Sequence, residues 1–257
     1  MRLKPHVNFS AFLSAVLLSL LTQTAIAATT AANATGSAAA SATGPATMGP
    51  MVERFVAGQH YQVLTTPVAP SNPRKIEVVE MFSYGCSHCY EFEGTVEPWR
   101  VRLPADVQFR AVPVLFNPQF RALAQAFYTA QALKIADKSH SAMFKALHAE
   151  GKPLWQVADM ARFYAGYGVS ASDFTRTMDS FGVRASIQRS DQMTKAFQIT
   201  GVPAIVVNGK YVVDGRMAGS NAAMLQVADF LIRKERDAKR KKPAAAATRP
   251  TPRTVAR

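Results

Sequence analysis

The chain's two cysteines, Cys86 and Cys89, stand two residues apart in EMFSYGCSHCYEF, at the close of an apolar run. Three chemistries use thiols at this spacing. A zinc site takes four ligands, so two of His60, His88, His140 and His148 would have to complete it, and those histidines show no ligand spacing to one another. A structural bridge would close a loop of only four residues, and the chain-entropy account credits longer loops with more stabilisation. The third chemistry is thiol–disulfide exchange, in which only the thiolate attacks. A thiol on the first turn of a helix lies beside unpaired N–H groups and the positive end of the macrodipole, and both favour the thiolate. Where the cysteines fall on their elements therefore decides between the readings.

Ile76 to Phe82 is a nearly continuous apolar run of the kind that forms a strand buried on both faces, with Glu80 as its misfit. Cys89, Phe92, Val96 and Trp99 then recur on one helical face. A helix should open near Cys86, and Pro98 should kink or shorten its end. Cys86 falls at the strand-to-helix junction, exposed and acidic, while Cys89 lies one turn in on the apolar face. This placement favours redox chemistry, with Cys86 as attacking thiol and Cys89 as resolving thiol. His88, between them, can add a positive charge or a donor beside Cys86. Glu80 has two readings, a carboxylate satisfied locally or a proton acceptor for Cys89. A strongly acidic Cys86 would also make the reduced form the more stable one at pH 7. That requires a folded pKa below about 5.5, set against the roughly 2 kcal/mol of a four-residue loop.

The remaining periodicity supplies the frame. Tyr61 to Leu64 reads as a short edge strand and Val107 to Val114 as the strand that completes a right-handed βαβ unit. Some eighty residues of helical period follow, with Leu123, Phe127 and Ala130 on one face, then Met143 and Leu147, then Val157, Ala161 and Tyr164, then Phe174 and Met178. After a helix ending near Phe197, Ala204 to Val207, Asn208-Gly209 and Lys210 to Val213 read as a hairpin on a type I′ turn. A last helix is capped by Ser220 or Asn221. The fold class is α/β, a thioredoxin-like sheet interrupted by a helical insertion, with the sheet domain at 51–118 and 187–236 and the insertion at 119–186. Thr200-Gly201-Val202-Pro203 precedes the hairpin. A cis Val202-Pro203 bond would present the backbone of Val202 beside Cys86, where an extended substrate could pair with it.

The ends of the chain set the compartment. Residues 1–27 carry Arg2 and Lys4, an apolar run from Ala11 to Leu21 and Ala25-Ile26-Ala27, the pattern of a cleaved signal peptide. Residues 28–50 have the composition of a low-complexity spacer. Between 51 and 236, 21 Lys and Arg against 16 Asp and Glu leave about +5, whereas the last 21 residues, 237–257, hold seven basic residues against Asp237 alone. The latter reads as a basic disordered tail, either solubilising or attached to anionic envelope surfaces. An exported protein rarely meets nucleic acid, so none is expected as a partner.

FSYGCSHCYEFE, TGVPAIVVNGKY and the helical block between them resemble the DsbA family of periplasmic thiol:disulfide oxidoreductases, from about Val56 to Ile232. The resemblance implies a thioredoxin fold with an inserted helical domain and donation of the Cys86–Cys89 disulfide to reduced exported polypeptides. It further implies reoxidation by a DsbB-like quinone-linked membrane protein and a periplasmic location; no cofactor or metal beyond that disulfide is expected, and the protein is expected to be a monomer. Position by position it matches Cys86 and Cys89 to the redox pair, His88 to the intervening histidine, Glu80 to the buried acid and Val202-Pro203 to the cis-proline loop. Ser-His replaces the Pro-His of the best-known members, and Arg110 stands on the strand where they place a lysine opposite the acid. A reductant or isomerase on the same fold and a non-redox peptide-binding chaperone are the alternative functions.

Overall fold

In the computed structural model, which describes residues 54–246, strand β2 (Ile76–Phe82) is buried along its whole length. Helix α1 (Ser87–Arg100) follows it, and β3 (Val107–Pro113) returns parallel to it, with Ile76 opposite Val107 and Phe82 opposite Pro113. Pro98 sits in the last turn of α1, which ends two residues later. On the other edge of β2, β4 (Ala204–Val207) runs antiparallel, followed by β5 (Tyr211–Asp214) and the two-residue β1 (Gln62–Val63). The order is β1-β5-β4-β2-β3. Asn208 and Gly209 turn the β4–β5 hairpin at φ 52° and 62°, and Lys210 N donates to Val207 O at 3.0 Å, a type I′ turn. A Cβ at Gly209 would lie 1.9 Å from the Val68 carbonyl oxygen, so only glycine fits there.

Alternation along β2 sorts the layers. Ile76 and Val78 face a core with Phe92 and Val96 of α1, Ile205, Val213, and Leu225 and Leu231 of α8 (Asn221–Ala246). Val79 and Met81 face the other way, onto Val112, Val114, Val206, Phe197 and Ile199. Four helices follow β3: α2 (Pro118–Ala132), α3 (Ala136–His148), α4 (Val157–Ala165) and α5 (Ala171–Met178). They bury Leu123, Phe127, Met143, Phe144, Tyr164 and Phe174 in a core that also takes in Phe82, Tyr84 and Cys89. The insertion therefore packs directly on the strand-to-helix junction.

Three features depart from the sequence reading. Helix α6 (Phe181–Ala196) crosses the boundary drawn at 186 without a break, and its Ser190 hydroxyl donates to the Pro113 carbonyl, so insertion and sheet share this helix. A single helical turn, α7 (Gly215–Ala218), precedes α8, which Ser220 caps by accepting from Ala223 N at 3.1 Å. Residues 237–246, read as disordered tail, continue α8. Two charges of this helix are tethered: Lys239 Nζ donates to the carbonyls of Pro73 and Lys75 at 3.1 and 2.7 Å, and Arg236 grips both oxygens of Asp106. The signal segment 1–27, the spacer 28–50 and residues 247–257 lie outside the described residues. No described helix is long and apolar enough to cross a membrane.

Candidate redox site

Cys86 is the N-cap residue of α1, extended at φ −100° and ψ 118°, and its carbonyl accepts the opening helical bond from Tyr90 N at 3.1 Å. No side-chain oxygen caps this helix, so the sulfur of Cys86 occupies the place where a cap would receive the first N–H groups. The thiol is drawn down to about 6, first by the hydrogen bond from the Cys89 side chain, against the opposing effect of burial, then by the N–H groups of Cys89 and His88 and by the charge of His88. Cys89 is fully buried, and burial together with its hydrogen bond to Cys86 pushes its thiol well up. The pair is asymmetric in the sense the sequence implies. His88 is exposed, with Nδ1 3.3 Å from Oε2 of Glu91, and its charge is the smallest of the influences on Cys86.

The Val202-Pro203 bond is cis, and Sγ of Cys86 donates to the Val202 carbonyl at 3.5 Å. Residues 116 apart in sequence thus meet at the thiol. Pro203 is buried and Val202 half-buried at the head of β4.

The turn before Cys86 is fixed from several sides. Cys86 N donates to Ser83 O at 3.1 Å and Gly85 N to the Ser83 hydroxyl at 3.2 Å. A Cβ at Gly85 would lie 2.9 Å from the Phe120 ring of α2. Tyr84 is buried between two histidines of α3. Its hydroxyl is 2.7 Å from His140 Nδ1, and its carbonyl accepts from His148 Nε2 at 2.7 Å. The His148 ring stacks on Tyr90 of α1 at 5.2 Å and 12°, so α3 holds the chain on both sides of Cys86. Burial lowers His140 to about 4. It is therefore neutral near pH 7, with Nε2 3.6 Å from Glu93 Oε2. The sequence offered these histidines only as zinc ligands. Their spacing with Phe144 at i, i+4 and i+8 was the available sign of a shared inward face.

Glu80 is 2% exposed and borders a cavity of about 230 Å³ lined by Glu93, Glu97, Arg100, Ala111 and His140. Its carboxyl is raised to about 8, chiefly by burial and then by the neighbouring charge of Glu93, with Arg100 opposing. Glu80 in turn contributes to the upward shift of Cys89. Arg110 does not serve it. The register pairs Val79 with Arg110 and Glu80 with Ala111, so Arg110 projects to the opposite face. There it meets a second carboxylate of the strand, Glu77, at 2.9 Å, and the Ser71 hydroxyl donates to the same oxygen. Glu77 is 3% exposed, a second buried carboxylate in a run whose apolar neighbours mask it in sequence.

A thioredoxin-like sheet that sets one acidic, accessible sulfur at a helix N-terminus above a shielded partner belongs to the class of thiol:disulfide oxidoreductases. A DSBA-like thioredoxin domain matches residues 77–226. The chain is 43% identical over 194 residues to the thiol:disulfide interchange protein DsbA of Pseudomonas aeruginosa, covering 76% of this chain and 92% of that relative. It is 44% identical over 181 residues to DsbA of Azotobacter vinelandii, covering 70% and 85%. The crystal structure of P. aeruginosa DsbA superposes with a TM-score of 0.70 at 43% identity, over 74% of this chain and 98% of that one. The chain belongs to the DsbA family of thiol:disulfide interchange proteins.

Proposed function

We propose that this protein donates the Cys86–Cys89 disulfide to reduced polypeptides after their export to the periplasm. The observation that carries the reading is the unequal placement of the two sulfurs, Cys86 half-buried at the N-terminus of α1 against the Val202 carbonyl and Cys89 enclosed behind it. A client thiolate attacks Sγ of Cys86, the Cys86–Cys89 bond breaks, and Cys89 leaves as a thiolate that takes a proton. Glu80, protonated at pH 7 with its carboxyl at about 8, is the group proposed to supply it, and to take it back on reoxidation. A second client thiolate then attacks the client sulfur of the mixed disulfide and releases Cys86. The client loses two electrons and the protein gains them. Departure of Cys86 is favoured because its thiolate is stabilised, and a low leaving-group pKa is what makes a disulfide oxidising.

Val202 and Pro203 form the edge along which the client backbone is proposed to lie, His88 assists Cys86 with a weak field, and a DsbB-like quinone-linked membrane protein returns the pair to the disulfide. The disulfide itself is the only redox group the cycle uses, and the protein acts as a monomer. Equilibration with glutathione buffers, followed by thiol trapping, tests the direction. The pair is expected to be reduced at potentials well above the about −270 mV of thioredoxin. A value at or below that figure would make the protein a reductant.

A further inference from the structure

The end of the sheet remote from the thiols is cationic. Arg74, at the entry to β2, and Arg236, Lys239 and Arg240 of α8 surround an open cleft of about 320 Å³ with Ile76 at its base and Asp106 as its one carboxylate. Arg236 is fixed by Asp106, and Lys239 by two backbone carbonyls. Arg74 and Arg240 are exposed and have no acidic partner among the described residues, and the same holds for Arg233, one turn earlier on the face of Arg236 and Arg240. In sequence the helix continues into Lys241 and Lys242, with Arg249, Arg253 and Arg257 beyond and Asp237 as the only acid after Glu235.

We propose that this cleft and the Arg233–Arg236–Arg240 stripe bind the headgroup phosphates of an anionic phospholipid leaflet. Guanidinium groups suit phosphate oxygens in number and geometry, and a polybasic segment is attracted to an anionic leaflet. No aromatic side chain lines the cleft, so nothing there would stack a nucleic-acid base. The orientation has a consequence for the redox cycle. The seven residues of β2 separate the cleft at Ile76 from the turn to Cys86, a span of about 20 Å. A docked molecule holds Cys86 and Val202 away from the leaflet, open to arriving chains, and has to leave the leaflet for its reoxidation by a membrane protein. This inference rests on the exported location proposed above, and its test reads binding and turnover separately, so that either can fail alone.

The exported chain, beginning at Ala28, is sedimented with vesicles of phosphatidylcholine alone or mixed with phosphatidylglycerol. Binding is expected only to the mixed vesicles, and to fall steeply with salt. Each cation near such a surface strengthens binding about fivefold, so Arg74→Ser, Arg233→Ser and Arg240→Ser combined should weaken it about a hundredfold. Oxidation of a dissolved reduced client should proceed equally with and without vesicles. Equal binding to both vesicle types, no binding to either, or undiminished binding of the triple variant overturns the proposal. So does capture by a soluble acidic polypeptide without vesicle binding, and inhibition of turnover by the vesicles overturns the orientation.

Discussion

Cys86 and Cys89 share a chemistry and differ in what surrounds them. Cys86 receives hydrogen bonds that hold its thiolate, with its thiol at about 6, whereas burial penalises the thiolate of Cys89. Cys89→Ser should therefore accumulate mixed disulfides with client thiols, because nothing resolves them, and Cys86→Ser should trap few. Non-reducing electrophoresis with mass mapping reads the outcome, and equal trapping through both would reverse the roles. Glu80 obeys the opposite sign. Its folded carboxyl, at about 8, lies above the unfolded value near 4.3. Its contribution to stability is complete below the unfolded pKa and is lost as pH rises toward the folded one. Glu80→Gln should thus be more stable than the wild type at pH 7, by about 3.5 kcal/mol, with the gap closing toward pH 4. The same variant should exchange disulfides more slowly. Denaturant unfolding across that range and stopped-flow exchange check the two halves.

At the scale of elements, the strands and helices that carry the thiols were legible because each has one strong period. Ile76–Phe82 and the Cys89, Phe92, Val96, Trp99 stripe fall where the sequence puts them. What pairs across elements was not legible. The partner of Arg110 depends on a one-residue register between β2 and β3 that composition does not encode, and the register gives it Glu77 rather than Glu80. The grip of α3 on Tyr84 is likewise tertiary. His148→Ala removes both the donor to the Tyr84 carbonyl and the ring stacked on Tyr90, and should cost about 2 kcal/mol. His148→Phe keeps a ring and should recover about half of that loss. Unfolding midpoints of the two variants provide the check.

Across the whole molecule, the redox state of one pair shifts the stability of the fold. The thiolate of Cys86 stabilises the reduced form fully above the unfolded pKa of about 8.5 and progressively less below it, until nothing remains well below the folded pKa. With the folded thiol at about 6, the gain at pH 7 is about 1.4 kcal/mol, against roughly 2 kcal/mol for the bridged four-residue loop. Reduction was expected from sequence to stabilise the protein at pH 7, which needs a pKa below about 5.5. Partial burial of Cys86 opposes its hydrogen bonds and moves the balance. The two forms should be equally stable near pH 7.5, the reduced form leading above that pH and the oxidised form below it. Unfolding both forms from pH 5 to 9 measures the crossing.

Cys86 is the acidic sulfur on which client attack and release depend, and titrating thiolate absorbance in the folded, reduced protein tests this most directly. A single transition at about 6 is the predicted result, absent from Cys86→Ser and displaced upward in Cys89→Ala, which leaves Sγ of Cys86 without that side-chain donor. A transition near the ordinary cysteine value of about 8.5, or one that survives Cys86→Ser and vanishes in Cys89→Ser, would contradict it.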